Sequence, residues 1–152
     1  MSLSARLAEL GIELPSVAAP VAAYVPAVVH AGLVYTSGQL PFTDGSLPAT
    51  GKVGAEVSAE DANGYARTCA LNALAAAADA AGGVDNIAGV LRVGGFVASV
   101  PEFTGQPGVI NGASLVLGEI FGDAGRHARA AVGVPVLPLD SPVEVEVTFV
   151  LA

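Results

Sequence analysis

Two stretches near the end of the chain set ions inside apolar runs: Ala128-Arg129-Ala130-Ala131-Val132 and Val143-Glu144-Val145-Glu146-Val147. Only 13% of the residues are charged, and an ion buried without a partner costs several kcal/mol. Arg129 and Glu144 are therefore the first candidates for chemistry. A guanidinium takes a carboxylate through two parallel charge-assisted hydrogen bonds, better than lysine does. A carboxylate beside it positions a water and moves its proton. The stretch of chain between the two suits a pair of strands joined by a turn, which predicts neighbouring strands with both side chains facing one cleft. Each residue also has a plainer reading. Arg129 fits an ion pair between subunits, and the alternation of Glu144 and Glu146 with Val143, Val145 and Val147 fits a strand with one wet face.

The elements that must carry these residues follow from caps, periodicity and breakers. Residues 2–10 predict a short helix with Ser2 or Ser4 as cap and Gly11 past its end. Residues 22–30 and 33–39 are β-rich and separated by Ala31-Gly32, a hairpin pattern. Residues 40–56, with Pro41, Asp44-Gly45, Pro48 and Gly51, read as an extended loop. Ser58 followed by Asp61 opens an alanine-rich helix over about 59–81, in which Asn72 is the odd residue. A strand within 86–100 contains Gly94-Gly95, a second helix runs over 107–121 behind Pro107, and strands at 129–137 and 143–151 complete the chain. The order is β-β-α-β-α-β-β behind a short N-terminal helix. Two helices cover one face of such a sheet and leave the other to find a partner.

The chain has 152 residues, which predicts one domain (1–152) with residues 1–12 as an N-terminal helical appendage. Mean hydropathy is +0.63, yet no uncharged apolar run approaches the ~20 residues of a membrane span, and the start of the chain lacks the pattern of a signal peptide. A cytoplasmic protein without a membrane partner is expected. The surplus of apolar residues points to self-association. The net charge of −8, with six Lys and Arg, has the wrong sign for gripping nucleic acid. Cys69 is the only cysteine, which excludes an intrachain disulfide and a zinc spacing of the CxxC kind; it reads as core. His127, beside Arg126 and Arg129, reads as an exposed turn histidine.

Four motifs in order carry a family resemblance: Thr36-Ser37-Gly38-Gln39-Leu40-Pro41, Asn72 in the long helix, the Phe103 to Asn111 region, and Ala128-Arg129-Ala130-Ala131-Val132 running on to Leu137-Pro138 and Val143-Glu144-Val145-Glu146. Together they resemble the RidA/YjgF family of reactive-intermediate imine deaminases, also called L-PSP endoribonucleases, from about Tyr24 to the C-terminus. The resemblance implies an α+β, chorismate-mutase-like fold with helices on one face of a mixed sheet, assembled as a homotrimer with clefts between subunits. It also implies hydrolysis of 2-imino or enamine acids to 2-keto acids and ammonia, without cofactor or metal. By motif, the catalytic pair falls on Arg129 and Glu144, and the substrate-binding positions on Tyr24 (the aromatic of the early strand), Ser37, Gly38, Asn111 and Ala131. Many members carry cysteine where this chain has Ala131, so a thiol-dependent role does not carry over; a backbone carbonyl there still holds a water. The loop near 44–54 suggests a longer branch of the family. The same cleft also suits a non-catalytic trimer that binds a 2-keto acid as a sensor or partner protein.

Overall fold

A computed structural model describes residues 1–17 and 23–152. Its longest element is helix α2, Ala59–Ala80, which begins where the Ser58 side chain accepts from the Asp61 N–H and carries Glu60 and Asp61 in its first turn. Acids there complement the helix dipole. Ala62, Ala66, Cys69, Ala70, Ala73 and Ala77 form its buried stripe, so the helix lies close to what it covers. Helix α3, Gln106–Phe121, has Pro107 in its first turn and ends at Gly122 (φ 60°). Before them, α1 spans Leu3–Glu9 with Ser2 as its cap. It buries Leu7 and is tied down by Ser4 to the Asp85 carboxylate (2.7 and 2.8 Å) and by Arg6 to the Glu119 carbonyl.

The strands are β1 Ala27–His30, β2 Leu33–Thr36, β3 Ile87–Ala98, β4 Ala128–Val134 and β5 Val143–Leu151. They make one mixed sheet in the order β1-β2-β5-β3-β4, with only the β3–β4 pair parallel. The expected α+β architecture is therefore present. The beginning of the run expected from residue 22 lies outside the described residues, and β1 starts later, at Ala27. One expectation fails: β4 and β5 are not neighbours, because β3 lies between them. The 135–142 connection carries the chain past the end of β3 instead of folding it back as a hairpin.

Alternation along β5 divides the sheet into two faces. Val143, Val145, Val147 and Phe149 are buried in the core with α2 and α3, while Glu144, Glu146, Thr148 and Val150 point away from it. The cross-strand register extends this outer face to Phe96, Gly94 and Arg92 on β3, Ala128, Ala130 and Val132 on β4, and Tyr35 and Val28 towards the far edge. Val28, Tyr35 and Val132 are each about half exposed there (52%, 46% and 45%).

α2 and α3 are in tight contact at Gly112, where a Cβ would stand 1.9 Å from the Asn63 carbonyl oxygen. The Asn63 side chain donates to the Gly108 carbonyl at the same crossing (2.9 Å). Backbone cannot yield as a side chain does, so Gly112→Ala forces the helices apart, and that overpacking outweighs alanine's gain in helix propensity. The expected result is a fall of roughly 5 °C in the thermal midpoint, read by calorimetry. An unchanged or raised midpoint would count against this crossing.

Candidate functional site

Arg129 sits on the edge strand β4 in register with Val93, and so on the helix-covered face. Its guanidinium reaches α3 and meets three groups spaced i, i+4 and i+7 along one helical stripe. Nη1 donates to Asn111 Oδ1 (2.8 Å) and Ser114 Oγ (3.2 Å), and Nη2 donates to the Pro107 carbonyl (3.3 Å). The stripe exists because Val109, Ile110, Ala113, Val116, Leu117 and Ile120 turn the other side of α3 into the core. Arginine has five N–H donors. Three are taken, leaving Nε–H and one Nη2–H of the planar fork among the described residues. Ala131, one step along the same face, is half-buried against the core.

Glu144 lies on the opposite face, in register with Phe96. Its side chain crosses Gly38 so closely that a Cβ there would come 1.9 Å from Oε1; glycine is what lets the carboxylate lie down. Burial, and after it the negative charge of Glu146, holds the Glu144 carboxyl above its ordinary value. The segment under it is fixed from several sides. Gln39 exchanges backbone hydrogen bonds with Val145, Ser37 Oγ donates to the Val25 carbonyl (2.7 Å), and Asn72 of α2 donates to the carbonyls of Leu40 and Phe42. Tyr24 stands in a bend before β1, not on a strand, and is 53% exposed.

The expected residues thus fall into two half-sites. Arg129, Asn111 and Ala131 share the helix-covered side at the β4 edge, and Ser37, Gly38 and Glu144 share the outer face, with Tyr24 one residue from the carbonyl that holds Ser37. The expectation that Arg129 and Glu144 face one cleft within the chain is corrected: they point to opposite faces, with β3 between their strands. His127 also departs from expectation. It is half-buried, with Nδ1 on the Gly125 carbonyl (2.6 Å) and Nε2 on Ser114 Oγ (2.9 Å). The sequence signal for Ser114 was its i+3 spacing from Asn111; nothing local announced His127 as its partner. Cys69 is fully buried, and burial first, then the Glu144 charge, pushes its thiol well up, so it offers no ready thiolate.

A five-stranded mixed sheet with two helices on one face, an arginine on the edge strand and a half-buried carboxylate on the other face make an α+β domain of the chorismate-mutase-like class. The chain belongs to the YjgF family: the family model described as "YjgF/chorismate_mutase-like, putative endoribonuclease" matches residues 4–150. TCP17 of Trypanosoma cruzi is 41% identical over 145 residues, 95% of this chain and 91% of that protein. The crystal structure of Atu1372 from Agrobacterium tumefaciens, of unknown function, is 43% identical with a TM-score of 0.90, covering 99% of this chain and 92% of that one. RidA from the Antarctic bacterium Psychrobacter sp. PAMC 21119 is 26% identical with a TM-score of 0.61, over 89% of this chain and 94% of that one.

Proposed function

We propose that the protein hydrolyses small 2-imino acids to 2-keto acids and ammonia, in a cleft completed when a second copy brings its Glu144 half-site to the Arg129 half-site. The observation that carries this reading is the guanidinium of Arg129, fixed on α3 by three donors with two left over, the number a carboxylate takes. With the substrate carboxylate held there, the imine carbon is already electrophilic. Glu144 accepts a proton from water as the water oxygen bonds to that carbon, and returns it to the nitrogen. Glu144 then takes the hydroxyl proton of the resulting carbinolamine and passes it to the amino nitrogen; as the C=O bond forms the C–N bond breaks, ammonia leaves, and the 2-keto acid remains. A carboxyl held above its ordinary value is a stronger base than a free one, which suits this exchange.

The half-exposed valines and tyrosine on the outer face support self-association through that face, and a closed homotrimer is the form consistent with the family. A net charge of −8 argues against RNA as the substrate despite the family's description.

The test generates 2-iminopropionate with an amino-acid oxidase and traps what survives as the semicarbazone. Protein is expected to lower the trapped amount in proportion to its concentration; no effect rejects the reading. Calorimetric binding of 2-ketobutyrate without turnover would instead support a non-catalytic sensor, a role that Ala131 in the place of the family's cysteine makes worth testing. The split between subunits has its own readout. Arg129→Ala and Glu144→Gln chains, unfolded together in equal amounts and reassembled, are expected to regain about a quarter of wild-type activity in a random cyclic trimer. No recovery would place both groups in the cleft from one chain.

A further inference from the structure

We infer that Ser114 and His127 are positioning residues for Arg129, forming a relay from the Gly125 carbonyl through His127 and Ser114 that fixes which edge of the guanidinium is left for the substrate. The inference rests on Arg129 being the carboxylate anchor. A backbone carbonyl only accepts, so the 2.6 Å contact to Gly125 places the proton on Nδ1 of His127. In the neutral ring, Nε2 is then bare and accepts the Ser114 hydroxyl proton across 2.9 Å. With its proton committed to His127, Ser114 turns an oxygen lone pair to Nη1 of Arg129 at 3.2 Å.

A serine inside a helix ordinarily turns its hydroxyl back to the carbonyl four residues earlier. Here His127 draws it outward, towards the edge strand. The consequence for Arg129 is specific: both Nη1 protons are occupied, by Asn111 and Ser114, so the guanidinium cannot rotate to offer its Nη1 side. The Nε and Nη2 side is the one presented. His127 stands two residues before Arg129, just ahead of the strand, so the same short segment supplies both the anchor and its brace.

The experiment compares Ser114→Ala, His127→Phe and His127→Gln, using KM and kcat for 2-iminopropionate, calorimetric Kd for 2-ketobutyrate, and nitrogen NMR of the Arg129 guanidinium. Ser114→Ala and His127→Phe are expected to raise KM and Kd about tenfold, the scale of one hydrogen bond to a charged group, with kcat changed less than twofold. Their Arg129 Nη signals average by fast rotation, whereas the wild type shows restricted rotation. His127→Gln, whose amide oxygen accepts the Ser114 proton, recovers most of the affinity and the restricted rotation. Wild-type KM and Kd in both disruptive variants, while Arg129→Ala loses binding, overturn the relay alone. Wild-type binding by Arg129→Ala overturns the anchor itself. Should 2-ketobutyrate not bind, equal Nη rotation in all four proteins overturns the relay without any ligand.

Discussion

Arg129→Ala is expected to lower kcat/KM for 2-iminopropionate by about a thousandfold. Two charge-assisted hydrogen bonds to a carboxylate, at roughly 2 kcal/mol each, sum to that factor. The loss falls mainly on KM, because the carboxylate is held alike in substrate and transition state. Arg129→Lys separates charge from shape: the ammonium keeps the attraction but lacks the fork, and about a tenfold deficit remains. Both variants are expected to melt within about 1 kcal/mol of wild type, since the guanidinium lies on the outer stripe of α3 and water replaces it there. Semicarbazone trapping measures the rates, and Arg129→Ala with wild-type kcat/KM would remove the arginine from substrate binding.

Glu144→Gln is expected to lower kcat a hundredfold or more, the usual contribution of a positioned proton carrier, with little change in KM. Its effect on stability runs the other way. Burial and Glu146 hold the Glu144 carboxyl above its ordinary value, so between that value and the raised one the folded chain holds more protons than the unfolded chain. Stability therefore falls as pH rises through this window, and the deficit is complete above it. Glu144→Gln removes the deficit. The inactive variant is expected to be as stable as wild type, or more so, at neutral pH, and to lose that advantage below the ordinary carboxylate range. Denaturant titrations at pH 7 and pH 3 check the sign; a variant less stable than wild type only at pH 7 would contradict a raised carboxyl.

Much of the fold was legible in the sequence because the signals were local. Ser58 and Asp61 mark the start of α2, Pro107 and Gly122 bracket α3, and Val143, Val145, Val147 and Phe149 announce a half-buried strand. What the sequence did not disclose was tertiary. Strands consecutive in the chain usually lie side by side, but β4 pairs in parallel with β3 and leaves β5 on its far side, so Arg129 and Glu144 part company. The candidate site was legible as residue types: an arginine and a carboxylate set among apolar residues. Its geometry was not, since the hydroxyl of Ser114 finds His127 only after β4 docks beside α3. Asn72 lay between these cases. An amide in an alanine-rich helix stood out as the odd residue, with backbone or a neighbouring subunit as its expected partner, and its partner in the fold is the backbone of the loop under Glu144.

The opposed orientation of Arg129 and Glu144 changes what should be counted as one working unit. On the reading proposed above, a lone folded chain carries two unfinished halves that no movement of side chains brings together. An open pair of chains joins one half to another and leaves two idle, whereas a closed ring leaves none. Turnover in such a ring would scale with the number of completed contacts between copies, not with the number of chains, and whatever governs its closing would govern the proposed chemistry as well.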